Sequence, residues 1–418
     1  MEFIDFDNGL RVALEYREDA MSAAVDIYVG SGSVCESDDI AGTAHFIEHM
    51  VFKGSRNYSS RDIARLTDTF GGNINAYTTK EYTCFYARAL TEHFPKMLDI
   101  LTDMVTAPTF DADAVETEKG VVIEEIGMYE DSPEDLGYDL LGGAVWKGSR
   151  LAHIILGTRQ SVSSITPDSL FRYSEKFYAP ERTVISVCGK FDRDGVLEAI
   201  EKKFGVRKNG GLPVAAEEAE FCVGSVLHRK KTEQTCVYLA FPGIAVGDPR
   251  RHAVAIFSEI TGGGSASRMN MRIREELGLA YSTYAYSSSY LGCGDFGIFA
   301  ALNAKSQRPF LEESLKILNG MKDFCDEDEL YRVKQQFKSG MIMNSESLQG
   351  IAAGVGKQLL LRNCYTDIAE TARQIEAVTA EDVRSAARLL FDVRHCTLCV
   401  VGAPEKESFY RDILKKYE

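Results

Sequence analysis

Thr43-Ala44-His45-Phe46-Ile47-Glu48-His49-Met50-Val51-Phe52 carries two histidines four residues apart, with a glutamate beside the second. In a helix, positions i and i+4 share a face, so the His45 and His49 imidazoles can reach a common point. Glu48 stands next to His49 and three residues from His45, near enough to act on a water held at that point. Two imidazoles and a carboxylate from elsewhere would make the three-ligand, one-water arrangement of a catalytic zinc. The order H-x-x-E-H inverts the H-E-x-x-H zinc motif. The chain has only seven histidines, and the residues around these two are mostly apolar. A buried apolar helix rarely carries such groups unless they have partners.

A chain of 418 residues points to two domains of comparable size. With 45% hydrophobic and 26% charged residues, it has the composition of an ordinary globular protein. The net charge of −15 argues against nucleic acid or an anionic membrane surface as partner. No apolar run reaches transmembrane length and no signal-peptide pattern opens the chain, so a cytoplasmic location is expected. Ten cysteines scattered over this length do not form a disulfide framework. Cys396 and Cys399 make a C-x-x-C within a strand-like run, where the two side chains point to opposite faces. Both read as core residues.

Outward from the histidine stretch, Asn8-Gly9 punctuates a first hairpin. Leu10 to Tyr16 and Ala23 to Val29 read as strands leading through Gly30-Ser31-Gly32-Ser33 into the histidine helix. A helix from about Ser60 to Phe70 ends at Gly71-Gly72. Asn73 to Thr78 follows, then a strand over Tyr82 to Ala87 and a helix over Glu92 to Val105. Ala112 to Met128 has helical spacing. Within it Glu118 and Glu125 are seven residues apart, two turns, and so share a face to within about 20°. Either is a candidate third ligand; Glu124 faces about 100° away from Glu125, and Glu116 is off the line. A helix over Pro167 to Phe177 and a strand over Thr183 to Cys188 precede an expected linker at 208–220.

The second half repeats the first. Ile165-Thr-Pro-Asp168 recurs as Val378-Thr-Ala-Glu381, and Ile185-Ser-Val-Cys-Gly189 as Leu398-Cys-Val-Val-Gly402; both pairs are 213 residues apart. Domains over 1–207 and 221–418 are expected, homologous to each other. The second copy lacks the chemistry. His252-Ala-Val-Ala-Ile-Phe-Ser-Glu259 has one histidine where the motif should recur, and the helix expected near Asp326 to Met341 carries Lys334, Gln335 and Gln336 in place of the acidic pair.

Taken together, the sequence resembles the insulysin, pitrilysin and mitochondrial-processing-peptidase group of inverted zinc metallopeptidases, above all its half-length bacterial members. The residues that carry the resemblance are His45-Phe-Ile-Glu48-His49-Met-Val-Phe-Lys-Gly and Gly71-Gly-Asn-Ile-Asn75-Ala76-Tyr-Thr. Glu118-Lys-Gly-Val-Val-Ile-Glu-Glu125-Ile-Gly-Met-Tyr-Glu and Tyr178-Ala-Pro-Glu-Arg add to it. The family's distant glutamate is met by Glu125, 76 residues beyond His49. The resemblance implies an α+β fold of two homologous domains, each a mostly antiparallel sheet packed with helices. It implies one zinc ion per chain held by His45, His49 and Glu125, Glu48 as general base, and Glu118 as an outer support. It decides between the two carboxylates that spacing left tied.

Arg274-Glu-Glu-Leu-Gly-Leu-Ala-Tyr281 matches a family arginine and tyrosine that bind substrate and stabilise the reacting carbonyl. Asn75 and Ala76 match an exposed strand edge where an extended peptide adds by backbone pairing. Half-length members imply a homodimer in which Arg274 and Tyr281 act in trans. The expected activity is zinc-dependent endopeptidase cleavage of unfolded peptides or small polypeptides. The alternative within the same fold is a noncatalytic assembly or peptide-binding subunit; the ordinary turn Thr261-Gly-Gly-Gly-Ser265 and the intact motif weigh against it. A purely structural metal site would need a fourth protein ligand, and His93 and His153 stand in unrelated contexts. One departure is evident: Gly30-Ser31-Gly32 stands where the family usually has Gly-Ser-Arg.

Overall fold

Asn8-Gly9, with Gly9 at φ 85°, turns the chain between β1 (Glu2–Asp5) and β2 (Arg11–Tyr16) in the computed structural model of the chain. The structure describes residues 1–205 and 216–418, so the expected linker at 208–220 falls largely outside the described residues. Contacts divide the chain into two compact units. Met1–Ile126, His153–Ala215 and Ile342–Tyr365 form the first; Gly127–Ala152, Ala216–Met341 and Thr366–Glu418 form the second. Each unit thus includes a segment from the other half of the chain, beyond the expected ranges 1–207 and 221–418.

In the first unit β3 (Ser22–Val29), β4 (Asn73–Thr78), β5 (Thr83–Leu90) and β6 (Thr183–Gly189) join the hairpin in a six-stranded sheet of order β1-β2-β6-β3-β5-β4. Only the β2–β6 pair is parallel. In the second unit β7 (Gly224–Arg229), β8 (Thr235–Pro242), β9 (Ala280–Ser289), β10 (Gly294–Leu302) and β11 (Thr397–Gly402) make a sheet of order β7-β11-β8-β10-β9, with β7–β11 parallel. The second order reproduces that of the first without its β1. The repeat is therefore a repeat of topology, and the expected α+β, mostly antiparallel architecture is what the chain adopts.

The central strands are buried on both faces. Along β3, Ala23, Val25, Ile27 and Val29 enter the main core, while Ala24 and Tyr28 point the other way. A strand buried on both sides needs two covers. The main face of the first sheet takes α1 (Thr43–Met50), α2 (Ala112–Asp131) and the helices Phe94–Thr106 and Pro167–Phe177. The other face is covered by a helix from far along the chain.

The remaining helices used below are α3 (Pro133–Val145), α4 (Arg251–Gly262), α5 (Glu327–Ser345) and α6 (Leu348–Arg362). Helix α6 lies on β3 and β6 of the first sheet, and α3 lies on β8 and β11 of the second. Each approaches closely through a glycine. A Cβ on Gly356 would fall 2.6 Å from the Tyr28 ring, and one on Gly137 would fall 2.5 Å from the Tyr238 ring. Cys399 is buried facing Gly137 of α3, while Cys396 belongs to the main core of that unit. The two cysteines take opposite faces, and all ten cysteines are free. No helix among the described residues is long and apolar enough to cross a membrane.

Candidate active site

Helix α1 starts at Gly42, which holds φ 89° and so needs no Cβ. Its first amides are satisfied by a buried carboxylate: Gly42 N donates to Glu36 Oε2 and Ala44 N to Glu36 Oε1, both at 2.7 Å. Burial pushes the Glu36 carboxyl up to about 8, against the backbone donors. Ala44, Phe46, Ile47 and Met50 are buried in the core, which leaves His45, Glu48 and His49 on the remaining face. The glycine that departs from the family pattern also has a cause. A Cβ on Gly32 would lie 2.3 Å from Thr79 O, so the loop before α1 sits against the 79–80 backbone as a side chain there would not allow.

His45, His49 and Glu125 present one ligand atom each, all within 4.8 Å of one another. Glu125 Oε2 is 3.8 Å from His45 Nε2 and 3.7 Å from His49 Nε2. Tetrahedral zinc with bonds of about 2.0–2.2 Å brings its ligand atoms roughly 3.4 Å apart, so the three atoms fit such an ion with small side-chain shifts. The donor set fits too. Burial first, then the neighbouring His49, drives the His45 pKa down to about 3, which keeps it the neutral imidazole that a metal requires. Its Nδ1 is buried with no hydrogen-bond partner.

Glu118 is on the buried line of α2 with Val115, Val122 and Ile126. Its Oε1 lies 2.9 Å from His49 Nδ1, and its Oε2 lies 2.5 Å from Lys53 Nζ. A carboxylate at Nδ1 fixes a histidine tautomer and aims the Nε2 lone pair at a metal. The two carboxylates that helical spacing could not separate therefore have different surroundings: Glu125 reaches both Nε2 atoms, and Glu118 backs His49 from behind. Glu48 is half-buried; burial raises its pKa, with the Thr78 hydroxyl and His49 acting in the opposite direction. Thr78 Oγ1 donates to Glu48 Oε2 at 2.6 Å.

Asn75 and Ala76 lie on β4, the last strand in its sheet's order. Asn75 is exposed and Ala76 buried; the Asn75 side-chain oxygen accepts from Ala76 N at 2.8 Å, covering an amide that an added strand would use. Arg274 and Tyr281 belong to the second unit. The Arg274 guanidinium lies over the Tyr281 ring at 5.6 Å, and Tyr281 is 77% exposed. Tyr281 is not a core residue. Sequence reasoning gave no role to Glu36, Lys53 or Thr78. Lys53 and Thr78 both stand inside the quoted motifs, and strand alternation puts Thr78 on the side of Ala76.

With this geometry in view, comparison with known proteins is decisive. Residues 11–159 match the family described as insulinase (peptidase family M16), and residues 164–337 match the M16 inactive domain. A Bacillus subtilis protein described as an uncharacterized zinc protease, YmxG, is 38% identical over 92% of this chain and 94% of its own length. The chain belongs to peptidase family M16. Two solved structures share the M16 fold at low identity. A peptidase M16 inactive domain protein from Pseudomonas fluorescens superposes with TM-score 0.90 at 21% identity, covering 97% of this chain and 98% of that one. A Helicobacter pylori protease gives 0.89 at 20%, covering 96% and 99%. The boundary between the two M16 matches falls within the first half, near residue 160, and the second match spans the β6–β10 region that carries no histidine pair.

Proposed function

We propose that this chain is a zinc-dependent endopeptidase acting on unfolded peptides or small polypeptides, with one ion held by His45, His49 and Glu125. The observation that carries the reading is the convergence of two imidazole Nε2 atoms and Glu125 Oε2 beside a carboxylate, Glu48, that is not itself one of the three. The zinc-protease description of the Bacillus subtilis relative accords with it. Bound there, zinc supplies Lewis acidity toward a water and toward the scissile carbonyl. Glu48 takes the proton of the attacking water as the C–O bond forms, and returns it to the departing amine nitrogen as the C–N bond breaks. Its raised pKa makes it a better acid for that second transfer than an exposed glutamate. Glu118 holds the His49 ring, and the outer edge of β4 at Asn75 and Ala76 receives the peptide backbone.

Arg274 and Tyr281 bind substrate and polarise its carbonyl from the second unit of a partner chain, in a cytoplasmic homodimer. Exposure of Tyr281, with a cation stacked on it, supports a role other than packing. The test is metal analysis together with cleavage of a quenched peptide library, with and without chelator. Zinc near one equivalent and chelator-sensitive cleavage are expected. Glu48→Gln should keep the metal and lose about 10²–10⁴-fold in kcat. A zinc-loaded wild type that cleaves nothing would leave the noncatalytic subunit as the reading. Mixing Glu48→Gln with Tyr281→Phe chains tests the trans arrangement, since only a shared site regains activity in mixed dimers.

A further inference from the structure

We propose that Thr78 is the positioning residue for Glu48: its hydroxyl fixes the carboxylate's rotamer and decides which oxygen is left to take a proton. The inference rests on the reading of Glu48 as the base. Thr78 closes β4 and pairs with Thr83, the first residue of β5. Its Oγ1 has two neighbours, Glu48 Oε2 at 2.6 Å and Thr83 Oγ1 at 3.3 Å. The shorter contact, to a carboxylate, takes the single hydroxyl proton. Thr83 does not compete as a donor, because its own hydroxyl donates to Ser31 O at 2.9 Å. Thr83 is also fully buried, so the hydroxyl behind Thr78 is locked in place. With both protons so committed, no hydrogen bond joins the two hydroxyls; Thr78 is held by its place opposite Thr83 in the β4–β5 pair, and its one proton is aimed outward, at Glu48 Oε2. That oxygen is engaged; Oε1 is the one left for a reacting water.

The placement has a second consequence. Thr78 is two residues beyond Ala76 on the strand offered to the peptide, and side chains two apart share a face of a strand. Helix α1 packs against β4. A peptide seated along β4 therefore bears on the same strand that holds the base, so substrate register and base orientation are set by one element. The position needs a short hydroxyl donor, and threonine adds a stiff rotamer to it.

The experiment uses full-length, zinc-loaded protein. Thr78→Val keeps the shape and removes the hydroxyl; Thr78→Ser keeps the donor. With a quenched peptide, Thr78→Val should lower kcat about 10–100-fold, the range for a hydrogen bond to a charged group, with KM and zinc content unchanged. Thr78→Ser should stay within roughly threefold of wild type, its looser χ1 being the remaining difference. In a Glu48→Gln background Thr78→Val should add nothing, because residues acting through one another are non-additive. Crystals of zinc-loaded wild type and Thr78→Val should show the Glu48 carboxylate displaced while His45, His49 and Glu125 stay in place. Wild-type kcat in Thr78→Val, an equal loss in the Glu48→Gln background, or an unmoved Glu48 would overturn the proposal. If zinc-loaded wild type cleaves no peptide, the peptidase reading falls instead, and the crystallographic comparison alone decides whether Thr78 holds Glu48.

Discussion

Apart from β1, the two units run the same strand order around the same kind of core, yet among the described residues only the first gathers candidate metal ligands. In the first, α1 and α2 bring His45, His49, Glu118 and Glu125 together. In the second, α4 and α5 stand at the corresponding places in the chain, and what meets between them is Gln336 Nε2 donating to Glu259 Oε1 at 2.7 Å. A neutral amide stands where a charged partner would, and the Glu259 carboxylate accepts a hydrogen bond from it. His252 Nε2 is 3.0 Å from Gln374 Oε1, away from that pair. The difference lies in outward-facing positions, while the apolar positions toward the core are alike in kind. The scaffold is indifferent to the chemistry it carries.

What the units share most closely is their dependence on a helix from the other half of the chain. The largest expected effect follows from it. Residues 1–207 made alone would lack α6 and leave Tyr28, Cys84, Val184 and Ala24 uncovered; residues 221–418 alone would lack α3. Neither piece should give a cooperative urea transition, whereas an equimolar mixture should recover one. A cooperative transition in 1–207 by itself would show that the exchange is dispensable. The next effect separates the units by role. Tyr281→Phe should lower kcat about 10²-fold, as loss of a carbonyl-stabilising donor does, with zinc affinity unchanged. Glu118→Gln should instead weaken zinc about 10–100-fold, measured by chelator competition. If Tyr281→Phe released zinc or Glu118→Gln left it untouched, the division of labour between units would be wrong.

How much of this could be read beforehand follows the range of each interaction. The helices Ser60–Phe70 and Pro167–Phe177 occur at the residues their caps and periodicity indicate, each with a capping box that is local in sequence. The histidine pair was legible because i and i+4 is a local relation. Glu36 was not, because it accepts from amides six and eight residues ahead, beyond the reach of an ordinary N-cap residue. The exchange of α3 and α6 was not legible either. The mostly apolar run of β6, broken by Ser186, points to burial on both faces, but nothing in a strand says which helix covers it. Both covering helices are rich in glycine and alanine, so their own periodicity is faint. Glu118 lay between: helical spacing put it on the line of Glu125 without separating the two, the resemblance assigned them different roles, and in the structure Glu118 is the one beside His49 Nδ1 and Lys53.

Each sheet carries a buried carboxyl under its exchanged helix: Asp26 on β3, accepting from Gln349 and Tyr28, and Asp295 on β10. Burial raises Asp26 to about 7; in an unfolded chain an aspartate titrates near 4. Between those values the folded chain keeps a proton that the unfolded chain has released, so stability is full below about pH 4 and declines as pH rises through about 7. Asp26→Asn should remove that decline, leaving the variant more stable than wild type at pH 8 by on the order of 2–4 kcal/mol, with the gap closing toward pH 4. Urea midpoints across that range check it, and a gap that widened toward acid would reverse the assignment.

The smallest effect distinguishes the two covers themselves. Gly137→Ala and Gly356→Ala each gain about 1 kcal/mol in helix propensity and each drive a Cβ into a tyrosine ring, at 2.5 Å and 2.6 Å respectively. Overpacking costs about 1–3 kcal/mol, so the outcome turns on whether the ring can retreat. Tyr238 is tied to Glu134 O by a hydrogen bond of 2.6 Å. Tyr28 spreads its single proton over Asp26 at 3.4 Å and Ala353 O at 3.3 Å, contacts too long to hold the ring firmly. Gly137→Ala should therefore cost a net of about 1–2 kcal/mol, and Gly356→Ala about 1 kcal/mol or less. Denaturant midpoints measured with unchanged m-values decide it; the reverse order would mean that the first sheet has the more rigid cover.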